Sequence, residues 1–265
     1  MTAYKYLKTE LDADGILTVL LNRAPANAVD RDFYIEIADL FNNIDREAPG
    51  VRAVVLGGVG KHFCAGNDLD EFATMTPENG TERMWRVREA FYSISNCVVP
   101  VIGAVHGAAL GTGISLVGSC DFVVADPDAS LGLPELTVGV MGGARHLARI
   151  APFPLVRRMY FTGKPMRAAD LAAAGAYLVI SEPGKHFEEA RQFALRVAGF
   201  SPTAVRVSKR ILDRIEWMDL ETGYKFEQAA TVKMSGHPDS KEALTAFREK
   251  RAAVYKTEID RTMFD

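Results

Sequence analysis

From Ala90 to Cys120 the chain carries no Asp, Glu, Lys or Arg. A charge-free run of this length matches a membrane span. However, Asn96, Pro100, His106 and five glycines interrupt it, and its β-branched residues cluster before most of those glycines, in Val101–Val105. That pattern predicts a buried strand, a glycine turn and a helix, because strands buried on both faces read as continuous apolar runs. The helix is expected over Thr112–Gly118, after Gly111 and Gly113. A second β-like run, Phe122–Ala125, leads to a lone carboxylate in Leu133-Pro134-Glu135. A strand, glycine turn and helix in succession present backbone N–H groups at a helix N-terminus, where the dipole favours negative charge. An oxyanion is expected there, with Glu135 beside it to move a proton.

The flanking sequence alternates strand and helix signals up to residue 180. Tyr4–Glu10 and Ile16–Asn22 flank Asp14-Gly15, a hairpin signal. Asp30 is an expected N-cap for a helix whose apolar stripe is Phe33, Ile37, Leu40, Phe41 and Ile44. Ala53–Leu56 reads as a short buried strand, and Arg83–Ile94 as a helix. Beyond Arg149, helices are expected over Leu155–Thr162 and Ala168–Ala174, closed by Gly163 and Gly175, and a last strand over Tyr177–Ile180. Helical patterns alone follow, at 187–198, 203–215, 219–234 and 239–255. This order predicts an α/β core over residues 1–195 and a helical C-terminal region over 196–265.

The 265 residues are 48% apolar and 25% charged, with a net charge of −3. Those values fit a soluble globular protein and give no nucleic-acid or membrane surface. Cys64, Cys97 and Cys120 are odd in number and widely spaced, so neither a disulfide framework nor a zinc knuckle is expected. A reducing, cytoplasmic setting fits. Met1–Gly15 has no apolar core of a secretory signal.

Two motifs in the central stretch mislead. Gly111-Thr112-Gly113 after a strand imitates a dinucleotide fingerprint, but Leu116 stands where the third glycine belongs. Gly113-Ile114-Ser115 imitates a nucleophile elbow and lacks its closing glycine.

The chain as a whole resembles the crotonase superfamily, the enoyl-CoA hydratase/isomerase family. The resemblance rests on Leu21-Asn22-Arg23 with Asn27-Ala28, on Phe63-Cys64-Ala65-Gly66-Asn67-Asp68-Leu69, and on Pro100 with His106-Gly107 and Ala109-Leu110-Gly111. Cys120-Asp121, Leu133-Pro134-Glu135, Phe161-Thr162-Gly163 and Ala246–Arg251 continue it in order. It implies a crotonase-like β/α spiral whose helical C-terminal region builds a homo-oligomer, a trimer or hexamer. It also implies an acyl-CoA thioester substrate, held as an enolate by the backbone N–H groups of Asn67 and Thr112. Thr112 replaces the usual glycine. Ala28, Asp68, Leu69, Asp70 and Gly111 are the implied substrate-binding positions, and Phe247 and Lys250 match positions that touch the nucleotide part of CoA. No metal and no cofactor beyond the CoA of the substrate are implied.

The departure lies in the acid–base pair. Hydratases of the family use two glutamates. Glu135 fills the second position, and Ser115 falls on the first. A serine holds water but is a poor general base. One carboxylate beside an enolate suffices to carry a proton between α and γ carbons, which is isomerase logic. Isomerase-like transfer through Glu135 is therefore the expected activity. Hydration of 2-enoyl-CoA is the alternative, and a non-catalytic acyl-CoA binder the second. His62, His106 and His146 are expected to be structural or on the surface rather than catalytic, and Arg145 to be available to a polar acyl group or a phosphate.

Overall fold

The structure, a computed structural model, describes residues 2–256 and 258–264. In chain order the strands are β1 (Leu7–Leu11), β2 (Ile16–Leu21), β3 (Ala53–Gly58), β4 (Val101–Val105), β5 (Ala108–Leu110), β6 (Phe122–Ala125), β7 (Ser130–Gly132), β8 (Met166–Arg167) and β9 (Val179–Ile180). The α-helices are α1 (Arg31–Asn42), α2 (Ile44–Glu47), α3 (Leu69–Phe72), α4 (Pro77–Ser95), α5 (Thr112–Ser119), α6 (Ala144–Leu147), α7 (Phe153–Thr162) and α8 (Ala168–Ala173). The C-terminal half ends with α9 (His186–Ala198), α10 (Pro202–Ile215), α11 (Leu220–Ser235) and α12 (Pro238–Glu249).

Among the described residues the strands form two sheets, a larger one ordered β1-β2-β3-β4-β6-β9 and a smaller one ordered β5-β7-β8. The β1–β2 hairpin is antiparallel, and every later pair in the larger sheet is parallel. Both faces of that sheet are covered. One carries Ile16, Ala53, Val55, Ile102 and Val124 against Ala190 and Ala194 of α9. The other carries Leu17, Val19, Val54, Leu56 and Val123 in a core shared with Phe33, Ile37 and Leu40 of α1 and Ile94 of α4. This double burial is why β3 and β4 read as unbroken apolar runs. It also accounts for the charge-free run. Ala90–Cys120 spans the end of α4, then β4, β5 and α5, mostly buried apart from Tyr92, Asn96 and Val98, and no described helix is long and apolar enough to cross a membrane.

Three expectations need correction. The glycine turn does not run directly from strand to helix, because β5 intervenes and pairs in parallel with β7 in the smaller sheet. Three residues containing two alanines carry too little periodicity to announce a strand. The helix expected from Arg83 begins at Pro77, where Thr76 and Asn79 form a reciprocal capping box. These caps override the weak propensity of the polar, glycine-containing turn that follows them. The last helix does not reach residue 255. It ends at Glu249, with Lys250 in the left-handed region at φ 55°, while Arg251 pairs with Glu242 and Glu249 beyond the end.

Candidate active site

The smaller sheet places two loops side by side. Cys64 bridges Ala109 in parallel, with Cys64 N–H donating to Ala108 C=O and Leu110 N–H donating to Cys64 C=O, both at 3.0 Å. Adjacent strands run about 4.8 Å apart. Asn67 and Thr112 each lie three residues beyond this bridge, so the register carries them forward together. On the far side of the Asn67 strand, Val29 donates to Gly66 C=O at 2.9 Å and accepts from Asp68 N–H at 3.0 Å. The Asn67 N–H alternates with these groups and is therefore turned to the side on which β5 runs.

Gly111 stands between β5 and α5 with φ 54°, a conformation that L side chains rarely adopt. Thr112 follows as the first residue of α5, and a first-turn N–H has no intrahelical acceptor. Among the described residues neither the Asn67 nor the Thr112 N–H has a hydrogen-bond partner. Gly113 lets α5 approach so closely that a Cβ there would lie 2.3 Å from the Cys64 carbonyl oxygen. The pair that imitated a dinucleotide fingerprint thus serves helix packing and a turn.

Glu135 begins a 3-10 turn, Glu135–Val138, in what sequence suggested was a loop. Its side chain reaches the glycine turn: a Cβ on Gly111 would lie 3.5 Å from Glu135 Oε1, and one on Gly143 would lie 3.1 Å from it. The residue is 7% exposed, and Oε2 has no hydrogen-bond partner among the described residues. Burial, with no compensating cation among the described residues, pushes the carboxyl up to about 7. A group with that pKa exchanges protons readily in both directions near neutrality. Ser115 sits on the buried α5, accepting from Ser119 Oγ through its carbonyl at 2.7 Å. No hydrogen bond of its hydroxyl is recorded among the described residues.

The other expected positions scatter more. Asp68 caps α3, accepts from Glu71 N–H at 3.0 Å, and is paired with Arg23 at 2.6 Å. Arg23 also donates to Ala28 C=O, so Ala28 and Asp68 are held beside Asn67 by one guanidinium. Leu69 and Asp70 are exposed on α3. Phe247 is 82% exposed at the end of α12, and Lys250 is exposed after it, with no contact to the glycine turn recorded. His62 Nδ1 accepts from Ala108 N–H, and His106 Nε2 lies 2.8 Å from Gly60 C=O. His146 packs edge-on to Phe91, and burial lowers its pKa to about 4, so it is neutral. Arg145 lies over the Trp217 ring at 4.3 Å rather than being free.

Sequence reading missed Tyr34. Its hydroxyl donates to Asn67 Oδ1 at 2.5 Å and lies 2.8 Å from Thr112 Oγ1. The available signal was a tyrosine one residue from Phe33 and three from Ile37, on the buried stripe of α1, because a buried phenol needs a partner.

Size of cavity does not locate this site. A cavity of about 810 Å³ beside α10 is lined by Asp121, Lys209, Leu212 and Asp213, and includes none of Asn67, Thr112 or Glu135. The cleft at Tyr34 and Asn67 measures only about 20 Å³. The candidate site is identified by unpartnered donors converging with an unpartnered acid.

Residues 12–258 match the family model for enoyl-CoA hydratase/isomerase. The chain is 31% identical over 247 residues to a short-chain-enoyl-CoA hydratase of Clostridium acetobutylicum, covering 91% of this chain and 94% of that one. It is 33% identical over 225 residues to the (7aS)-7a-methyl-1,5-dioxo-2,3,5,6,7,7a-hexahydro-1H-indene-carboxyl-CoA hydrolase of Rhodococcus jostii, covering 84% and 87%. The crystal structure of an enoyl-CoA hydratase from Bacillus anthracis superposes with a TM-score of 0.88 at 30% identity, covering 96% of this chain and 100% of that one. With these two sheets and this glycine turn, the chain belongs to the enoyl-CoA hydratase/isomerase family of the crotonase superfamily, enzymes that act on acyl-CoA thioesters.

Proposed function

We propose that this enzyme isomerises enoyl-CoA thioesters, moving one proton between the α and γ carbons through Glu135. The observation that carries this reading is the state of Glu135: buried, without a cation, and with Oε2 unpartnered among the described residues. Burial is the leading cause of its raised pKa, and no second carboxylate figures among the causes. In this reading the thioester oxygen lies between the N–H groups of Asn67 and Thr112. With 3-enoyl-CoA, ionised Glu135 takes the C2 proton. The electron pair passes into the thioester, and the two N–H groups stabilise the oxygen that becomes negative. Protonated Glu135 then returns the proton to C4, leaving a 2,3 double bond. The carboxylate begins and ends ionised, and no water is consumed. One such donor is worth ~2.7–4 kcal/mol of transition-state stabilisation.

Hydration of 2-enoyl-CoA is the second reading, favoured by Ser115, whose hydroxyl has no recorded partner and can hold a water. Turnover of 3-enoyl-CoA and 2-enoyl-CoA by the wild type, with binding measured alongside, separates the readings. Isomerisation is expected to exceed hydration. Hydration alone would overturn the first reading, and tight binding with neither turnover would overturn both.

Assembly into a trimer or hexamer is part of the proposal. Leu220, Tyr224, Val232, Phe247 and Val254 leave large apolar side chains exposed on the C-terminal region, more than a separate chain should carry. Light scattering that gives a concentration-independent monomer would refute it.

A further inference from the structure

Tyr34, Asn67 and Thr112 form a closed triangle of side chains. Tyr34 donates to Asn67 Oδ1 at 2.5 Å, Thr112 Oγ1 donates to the same oxygen at 3.0 Å, and the two hydroxyls lie 2.8 Å apart. The three residues come from three separate elements: α1, the loop after Gly66, and the first residue of α5. Two of them are the residues whose backbone N–H groups lack partners among the described residues. Tyr34 is 3% exposed, and its ring packs edge-on to Phe91 at 5.9 Å. Phe91 in turn packs edge-on to His146 of α6, whose carbonyl lies against Gly118 of α5. The phenol is therefore braced from behind, with its oxygen delivered to the junction of the two loops.

We infer that Tyr34 is a positioning residue for the oxyanion-binding pair: its hydroxyl clamps the side chains of Asn67 and Thr112 and so fixes the separation of their backbone N–H groups. This inference rests on the oxyanion reading given above. Two hydroxyl protons serve the three edges, so loss of either hydroxyl leaves at most one edge of the triangle bonded. The clamp also gives the threonine a purpose. A side chain at position 112 risks crowding the acyl group, and its tie to Tyr34 and Asn67 holds it in one rotamer instead.

The test uses Tyr34→Phe, which keeps the ring, and Thr112→Val, which keeps the shape. Each is expected to lower kcat about 10-fold while leaving KM within about two-fold, as loosening of a preorganised geometry requires. The double variant is expected to be no worse than the poorer single one, because the clamp acts as a unit. Thr112→Ser, which retains a hydroxyl, is expected to keep most of the turnover. The infrared stretch of the bound thioester carbonyl supplies a readout that simple packing does not move. Wild type should lower that frequency relative to free acyl-CoA, and both variants should lose part of the shift. Single variants with kcat within about two-fold of wild type and an unchanged carbonyl shift would overturn the clamp alone. A wild type that binds acyl-CoA with no carbonyl shift would overturn the oxyanion reading with it. Should Tyr34→Phe fail to fold, Thr112→Val carries the same test with the phenol in place.

Discussion

Two acidic sites in this molecule are built in opposite ways, one around the buried Lys209 and one around the buried Glu135. Asp121 lies behind β4, where one oxygen accepts from Val101 N–H at 2.7 Å and the other is 3.2 Å from Lys209. Lys209 is itself buried and pairs with Asp213 at 2.5 Å, while Arg149 engages Glu216 close by. Glu135 is buried beside the glycine turn with no ion pair among the described residues and one oxygen unbonded. Desolvation raises the pKa of Asp121 and Asp213 as well, but there Lys209, helped at Asp121 by the Val101 N–H, opposes it, whereas among the described residues no cation opposes it at Glu135. The contrast separates an acid used for architecture from one kept ready for proton transfer.

Breaking the compensated site should have the largest effect on stability. Lys209→Met takes the nearest cation from Asp121 and Asp213, which are part-exposed and still feel Arg149, and is expected to cost about 2–3 kcal/mol in denaturant unfolding. A cost under about 1 kcal/mol would erase the distinction drawn here. Glu135→Gln should act in the reverse direction. The folded pKa of about 7 lies above the ordinary 4.5, so the ionisation cost is absent below pH 4.5 and complete above about pH 7. The variant should therefore match wild type in acid and exceed it by about 1–3 kcal/mol at pH 8. Equal stability across that window would mean that burial does not strain Glu135.

A smaller effect sharpens the division between isomerase and hydratase. Ser115→Glu adds a carboxylate on the helix that begins at Thr112, where the resembling hydratases carry one. It should raise the hydration-to-isomerisation ratio about 10-fold, with repulsion between the carboxylates raising Glu135 further. A folded variant that binds CoA thioesters with an unchanged ratio would exonerate Ser115. The short segment around Gly142 and Gly143, which lies against Glu135, would then be the next candidate.

Much of this layout was legible in the sequence because it follows from local rules. Asp30 caps α1 by accepting from Phe33 N–H, as its type and place suggested. Gly111 announced a turn and Gly163 a left-handed helix end, and both have positive φ. Long-range pairing was not legible. The smaller sheet exists because Ala109 meets Leu131 and Leu131 meets Met166, and Cys64 bridges Ala109 from outside it, all across long stretches of chain, and no short-range pattern encodes those meetings. Tyr34 escaped for the same reason, since its partners lie 33 and 78 residues away. Glu135 was identifiable as a residue, whereas its lack of a counter-charge among the described residues belongs to the folded surroundings alone.

The central claim is that Glu135 alone carries the proton. The most direct test is the pH dependence of kcat/KM for 3-enoyl-CoA isomerisation in wild type and Glu135→Gln. Because the carboxylate form must accept the first proton, wild-type activity should rise with pH through a midpoint near 7. The variant should bind CoA thioesters normally, turn over ~10²–10⁴-fold more slowly, and lose that midpoint. A variant that keeps the same midpoint, with turnover within a few-fold of wild type, would remove Glu135 from the mechanism and contradict the account.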